Sequence, residues 1–259
     1  KNGTRLGERF ALTRIPSANT ILQARPVRHD NGEMAFFADP LFSSASTAAP
    51  EQAVFRNWSE RVSPLHYTAT EARDIARLFT NQKATLYVGA EANRRNLFSA
   101  QVRNARVLHI ATHGYFNPIN PDNMGFQLAA LDRSGIPIEG FVTLPELFSY
   151  PFSNELVVIN GCHTAMGKAQ SGEGMVGLVH GFMAQGTKHV VSTLWPVADK
   201  ASALFMQAFY QSLLTQGSLP EALKDARSHL RHHPRYRSPY YWAPYVLHST
   251  VPNVQMRFE

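Results

Sequence analysis

Apolar runs along the chain alternate with amphipathic stretches. Short, mostly apolar runs predict strands at "MAFFADP", "KATLYVG", "RVLHIAT", "ELVVIN" and "HVVSTLWPV". Between the first two, "TATEARDIARLF" has the periodicity of an amphipathic helix, with Ile75, Leu78 and Phe79 on one face. Thr68 or Thr70 is its predicted N-cap. Nearly continuous apolar strands separated by helices indicate a largely parallel sheet that is covered on both faces.

The remaining patterned stretches complete the predicted order. Helices are expected at "SANTILQAR", "ANRRNLFSAQV", "TLPELFSY", "GMVGLVHGFMAQG", "DKASALFMQAFYQSLL" and "LPEALKDARSHLRHH", and strands at "RFALTRIP" and "YWAPYVLHS". Thr143 should cap "TLPELFSY", with Pro145 in its first turn, and Gly186 should close the apolar helix. The fold class that follows is α/β, a three-layer sandwich whose largely parallel central sheet is flanked by helices.

Two of the predicted strands end in reactive residues. "RVLHIATHGYF" places His113 and Gly114 just past one strand, and "ELVVINGCHTAMG" places Cys162, the only cysteine, just past another. Parallel sheets bind ligands at the carboxyl ends of their strands. If the two strands are neighbours, a thiolate and an imidazole face each other at this edge.

This pairing is typical of nucleophilic catalysis. Cysteine attacks as the thiolate, and an adjacent imidazole can take its proton or stabilise the anion. The oxyanion that forms needs backbone N–H donors. The amides of Gly114 and Cys162 are the candidates, because each lies at a turn that contains a glycine.

Other interpretations of these residues exist. A lone cysteine is usually a small buried hydrophobe. His163 competes with His113 as partner, although strand alternation would point it away from Cys162. Zinc held by these three side chains would lack a fourth ligand, so neither a metal nor a cofactor is expected. Three further histidines are interpreted as structural: His109, His180 and His189.

Composition and charge narrow the class of protein. The chain of 259 residues is 44% hydrophobic and 17% charged, which supports a large core and excludes broad disorder. A single cysteine excludes an internal disulfide framework and favours a reducing, cytoplasmic setting, and no apolar run is long enough to cross a membrane. The net charge is +6, but the densest basic run, residues 226–237, ends a predicted helix, where cations are favoured. Direct nucleic-acid binding is therefore not expected.

Several motifs in a fixed order resemble the CHAT domain, a family of caspase-like cysteine peptidases related to gingipain and separase. They are "VLHIATHGYF", "LVVINGCHTAMG", "GEGMVGLVHGFMAQG" and "VVSTLWPVADKAS", and the resemblance runs from "RFALTRIPSANTI" to "PYYWAPYVL". It implies a caspase-like sandwich, with residues 1–80 as the N-terminal part of the CHAT region and 81–259 as the peptidase core. The family's upstream portion is expected to be missing, and the chain, which starts at Lys1, to be a piece of a longer polypeptide.

The resemblance also implies roles for individual residues. The catalytic histidine falls on His113, the nucleophile on Cys162, and the oxyanion donors on the amides of Gly114 and Cys162. "LWPVAD" resembles a separase segment whose aspartate binds a basic residue before the scissile bond, which would place Asp199 in the specificity pocket. The alternative is that Asp199 caps the helix it begins. Weaker candidates for the substrate groove are Glu173, Trp195 and Trp242, with packing as the alternative for the two tryptophans.

The function implied is that of a cysteine endopeptidase that favours a basic residue before the cut. Control by a regulatory partner or an upstream repeat domain, in bacterial defence or signalling, follows from the same resemblance. One departure affects substrate preference: His163 stands where the family is expected to carry an acidic residue. The alternatives are a catalytically silent peptide-binding module, a Cys–His hydrolase of small amides, and a nucleic-acid-binding domain.

Overall fold

The computed structural model describes residues 10, 12–15, 32–42, 65, 67–115, 124–160, 172–251 and 254–258, without the side chains of 172–175. Its strands are β1 (Met34–Pro40), β2 (Ala84–Gly89), β3 (Val107–Ala111), β4 (Gly114–Tyr115), β5 (Gly125–Gln127), β6 (Phe141–Thr143), β7 (Leu156–Asn160), β8 (His189–Thr193) and β9 (Tyr245–Ser249). Its helices are α1 (Thr68–Leu78), α2 (Arg94–Leu97), α3 (Ala100–Arg103), α4 (Leu144–Ser149), α5 (Gly172–Ala184), α6 (Asp199–Gln216), α7 (Leu219–His232) and α8 (Pro239–Trp242). The helix predicted at "SANTILQAR" lies outside the described residues.

The central sheet has the strand order β2-β1-β3-β7-β8-β9. The pairings from β2 across to β8 are parallel, and β9 joins β8 antiparallel. The mixed α/β sandwich with a largely parallel central sheet is thus confirmed. β1 lies between β2 and β3, so the described parts of 1–80 and 81–259 share one sheet.

Strict alternation along the strands builds two cores, one on each face of the sheet. On β3 and β7, Val107 and Val158 face one side, where they pack with α1, α6 and α7. Leu108 and Val157 face the other side, where they pack with α2 to α5. Because both sets are fully buried, each strand reads as a continuous apolar run.

A smaller antiparallel sheet, in the order β4-β5-β6, follows β3 and was not anticipated from the sequence. Its strands are two or three residues long, too short to show an alternation. At Gly125 on β5, a Cβ atom would overlap the carbonyl oxygen of Val142 on β6. Glycine is therefore required for β5 to pack this closely against β6.

Helix termini agree with the sequence in some places and differ in others. Thr143 and Glu146 form a full capping box at the start of α4, as its sequence indicates. The single helix expected at "ANRRNLFSAQV" is instead two short helices, α2 and α3, each begun by its own capping residue, Asn93 and Ser99. Gly186 has a positive φ of 119° two residues beyond α5.

The predicted cap of α1 is wrong. Tyr67 occupies the N-cap position, with no side-chain capping bond from within the helix. Thr68 instead donates its hydroxyl to the carbonyl of Leu65 and accepts from the N–H of Asp39.

Near the start of the sequence, "RFALTRIP" predicts a strand. Arg14, within this stretch, forms an isolated parallel bridge with His248 of β9.

Candidate functional site

The two strands that end in His113 and Cys162 are neighbours in the sheet. β3 pairs with β7 in parallel, and the last register pair is Ala111 with Asn160. One residue further, the N–H of Thr112 donates to the carbonyl of Asn160 at 3.2 Å. His113 lies two positions past Ala111, and Cys162 follows Asn160 by the same number in the sequence. The predicted adjacency of the two strands is therefore confirmed.

Cys162 itself lies within residues 161–171, outside the described residues, as does His163. The geometry of the proposed thiol–imidazole pair and the oxyanion role of the Cys162 amide remain predictions. Gly114, the other candidate donor, begins β4 and pairs with Phe126 of β5. Its position next to His113 fits the predicted role without testing it.

His113 is held from several directions. Its side chain is 1% exposed, and its ring lies 5.6 Å from that of Phe42 at an interplanar angle of 46°. Its carbonyl accepts from the N–H of Gln127 at 2.9 Å, and the hydroxyl of Thr112 donates to the Gln127 carbonyl. The small sheet thus fixes the backbone of the predicted catalytic histidine. In this conformation the imidazole is shielded from solvent.

Asp199 begins α6, beyond the carboxyl end of β8, the strand next to β7. Ala198 is the N-cap and no side-chain capping bond is formed, so the alternative in which Asp199 caps its own helix is wrong. Its Oδ2 instead accepts the N–H of Tyr67 at 2.8 Å, at the start of α1. The half-buried carboxylate therefore joins two helix N-termini, where negative charge is favoured.

The two tryptophans differ in their surroundings. Trp195, half-buried, donates its indole N–H to the carbonyl of Tyr240 at 2.9 Å. Trp242 is 8% exposed, belongs to the core that packs with α1, α6 and α7, and donates to the carbonyl of Arg237. Packing is thus the role shown for Trp242. Glu173 lies in the first turn of α5, with its side chain outside the described residues.

The histidines interpreted as structural separate into two groups. His109 is fully buried on β3, and His189 is 1% exposed at the start of β8, whereas His180 is exposed on α5. Burial lowers the pKa of His189 to about 4, opposed by Glu155 and assisted by Lys188. Burial also lowers the pKa of His248 to about 4, together with Arg14 and His180.

A buried polar chain beneath the strand ends was not anticipated from the sequence. It contains Glu71 of α1 and Asn160 of β7, which are 3% exposed, and Ser202 of α6. A signal for Glu71 was present, because it stands four residues before Ile75 and therefore shares the apolar face of α1. Among the described residues, no group of three or more potential metal ligands occurs, and no helix is long and apolar enough to span a membrane.

The fold has relatives among solved structures. The arginine-specific cysteine proteinase gingipain R aligns over 92% of this chain and 51% of its own, with a TM-score of 0.55 and 9% identity. The complex of Porphyromonas gingivalis RgpB pro- and mature domains aligns over 92% and 52%, with a TM-score of 0.53 and 8% identity. At such low identity the likeness concerns the fold alone, and that fold is the caspase-like α/β sandwich.

Sequence comparison gives the family. The family model of the CHAT domain matches residues 1–250, so the chain belongs to the CHAT domain family. Tetratricopeptide repeat protein 28 of Mus musculus is 26% identical over 278 aligned residues, which cover 93% of this chain. The chain spans only 11% of the length of that relative.

Proposed function

We propose that this domain is a cysteine endopeptidase. The Cys162 thiolate attacks the carbonyl carbon of the scissile peptide bond, and the amides of Gly114 and Cys162 hold the oxyanion. As the C–N bond breaks, His113 gives a proton to the departing amine and a thioester remains on Cys162. Water then hydrolyses the thioester, releasing the new carboxylate and regenerating the thiol.

The observation that carries this proposal is the register of β3 and β7. Their pairing continues to Ala111 and Asn160, so both reactive residues follow neighbouring strand ends at equal sequence distance. Membership of the CHAT family and the caspase-like fold support a chemistry of this type at this edge of the sheet.

Control by a partner is the second part of the proposal. A leaving amine must reach the imidazole of His113, whose side chain is 1% exposed. A rearrangement that opens this site would therefore switch activity on. The mouse relative is named as a tetratricopeptide repeat protein, which supports an upstream repeat domain or a repeat protein as the regulator. The setting in bacterial defence or signalling rests on the family resemblance alone.

The preference for a basic residue before the cut is assigned to Asp199. Its carboxylate lies beyond β8, on the same side of the sheet edge as the ends of β3 and β7. Asp199→Asn keeps an oxygen for the N–H of Tyr67 but removes the charge. We expect kcat/KM for peptides with arginine before the cut to fall roughly 10–100-fold, as the loss of a charge-assisted bond implies. An unchanged preference would assign specificity elsewhere.

New protein N-termini test the proposed function directly. Cells that express the wild type are compared with cells that express Cys162→Ala, and peptides that begin at new cleavage sites are counted by mass spectrometry. We expect sites that depend on Cys162 and follow arginine or lysine. Identical N-termini in both samples would favour the peptide-binding module. Turnover of small amides without any protein cleavage would favour the small-amide hydrolase.

A further inference from the structure

Behind the carboxyl ends of β3 and β7 lies a chain of buried polar side chains that the proposed reaction does not use. The amide nitrogen of Asn160, the last residue of β7, donates to Oε1 of Glu71 at 2.8 Å. Nε2 of His109, on β3, lies 3.0 Å from the same oxygen. All three side chains are between 0% and 3% exposed. We call these residues the Glu71–Asn160 tie.

Two hydroxyl groups extend the tie to α6. Ser202 donates its hydroxyl to Oδ1 of Asn160 at 2.5 Å and is itself 2.8 Å from the hydroxyl of Tyr245. The hydroxyl of Tyr210 lies 3.1 Å from Nδ1 of His109. The Asn160 side chain is therefore fixed on both of its polar atoms, one to α1 and one to α6.

The two ring nitrogens of His109 have different neighbours. Burial, with the charge of Glu71, raises the pKa of Tyr210 well above its usual value of 10, so its hydroxyl keeps its proton. That hydroxyl lies against Nδ1 of His109, whereas Nε2 of His109 lies close to Oε1 of Glu71 but forms no hydrogen bond among the described residues. Oε1 of Glu71 thus accepts a hydrogen bond from Asn160 and is in close contact with the imidazole of His109.

The tie is costly if stability alone is considered. A buried carboxylate needs several partners to offset its loss of water, and Oε2 of Glu71 is buried without a hydrogen-bond partner among the described residues. An apolar residue on this face of α1 would avoid that cost, although it would leave the amide N–H of Asn160 without its acceptor. What the polar residues supply is a defined position for the end of β7.

That position matters for the reactive pair. Asn160 stands two residues before Cys162, and its carbonyl accepts from the N–H of Thr112, the residue before His113. One residue thus contacts both helices through its side chain and the β3 end through its backbone. The start of the segment that carries Cys162 is therefore defined relative to His113.

We propose that Glu71 and Asn160 are positioning residues that hold the end of β7 so that Cys162 meets His113. This inference rests on the proposed function for its consequence but predicts a measurable property of the thiol by itself. Neither residue contacts the substrate, and each acts through the placement of Cys162.

The test uses the rate at which iodoacetamide alkylates Cys162 as a function of pH, which reports the thiolate and does not require peptide cleavage. Asn160→Asp places a second carboxylate 2.8 Å from that of Glu71. We expect the alkylation rate constant at pH 7 to fall at least tenfold, which corresponds to roughly 1.4 kcal/mol. The pH at which alkylation reaches half of its maximal rate should rise. Adding Glu71→Gln to this variant restores one donor and one acceptor, and we expect the rate to return to about the wild-type value.

Asn154→Asp is the matched control. Asn154 is fully buried two residues before β7 begins, and its amide donates to the carbonyls of Val102 and Ala105 at 3.0 and 2.6 Å. The same substitution therefore disturbs the opposite end of the same strand. We expect a lower melting temperature with an alkylation profile like that of the wild type. Equal slowing in Asn154→Asp and Asn160→Asp, or no rescue by Glu71→Gln, would overturn the inference.

His113→Ala separates this inference from the proposed function. If His113→Ala leaves the wild-type profile unchanged, the catalytic pair is contradicted. The effect of Asn160→Asp and its rescue would still show whether the tie places the thiol. If His113→Ala raises the midpoint while Asn160→Asp does not, the pair stands and the tie is contradicted.

Discussion

The two faces of the central sheet are packed by different chemistry. The face covered by α2 to α5, which we call the apolar face, is built from hydrophobic side chains, among them Phe37, Phe152 and Phe182. The face covered by α1, α6 and α7, which we call the network face, combines a hydrophobic cluster with the buried polar chain around Glu71 and Asn160. Both faces arise from the same strands by alternation.

The two faces of the sheet are expected to serve different purposes, one stabilising the fold and the other also placing the predicted reactive residues. On the apolar face, Phe152 and Phe182 pack edge to face with ring centroids 4.9 Å apart, which stabilises the fold through burial and ring contact. On the network face, the polar chain ends at Asn160, next to the predicted reactive residues. A change on the first face should therefore lower stability alone, while a change on the second should also alter the thiol.

Phe182→Ala should have the largest effect on stability. The side chain is fully buried, and removal of a buried phenyl ring costs about 3–5 kcal/mol of unfolding free energy. Urea denaturation measures this loss. Under conditions where the variant is folded, its Cys162 should be alkylated at the wild-type rate. A large fall in that rate would show that the apolar face also places the thiol.

Acid should destabilise the folded protein through His189 on the network face, because burial lowers the pKa of this side chain to about 4. In the unfolded chain His189 takes up a proton near pH 6.5, whereas in the folded chain it stays neutral until the pH approaches 4. His189 therefore does not reduce the free energy of unfolding above pH 6.5. As the pH falls from 6.5 towards 4, the free energy of unfolding should decrease by about 3 kcal/mol for a pKa shift of this size.

The measurement is urea denaturation at a series of pH values, for the wild type and for His189→Gln. Gln keeps a polar group for the hydroxyl of Ser249, which lies 3.0 Å from Nδ1 of His189. The variant should have a flatter dependence of stability on pH between 6.5 and 4. Parallel curves for the two proteins would contradict the assignment to His189.

Glu71→Leu should affect stability less than Phe182→Ala but affect the thiol more. It removes a costly buried carboxylate but leaves the amide N–H of Asn160 without its acceptor, so the net loss should be about 2 kcal/mol. Its Cys162 should be alkylated several times more slowly than that of Phe182→Ala. If Phe182→Ala is slowed as much, placement is not specific to the network face.

Much of the fold could be predicted from local pattern, because each strand of the parallel sheet is a separate apolar run. The strands β3 and β7 and the cap at Thr143 belong to this part. What failed depends on residues distant in sequence. The start of α1 is bonded by Asp199, which no pattern around Tyr67 could indicate.

The candidate site divides in the same way. His113 and Cys162 are predicted as the reactive pair because both follow apolar strands and stand next to a glycine. Glu71 was missed because a polar residue on an amphipathic helix is usually assigned to the solvent, although its spacing from Ile75 placed it inside. Its partner Asn160 contacts it across 89 residues of sequence.

The most direct test of the catalytic pair is covalent capture by a peptide chloromethyl ketone that carries arginine next to the reactive group. Mass spectrometry then locates the adduct in the wild type, Cys162→Ala and His113→Ala. We expect the wild type to be modified on Cys162, the Cys162→Ala variant not to be modified, and His113→Ala to react about 10²–10⁴-fold more slowly. A wild type that is not modified on Cys162 under conditions in which it cleaves protein, or a His113→Ala variant that reacts at the wild-type rate, would contradict the catalytic pair.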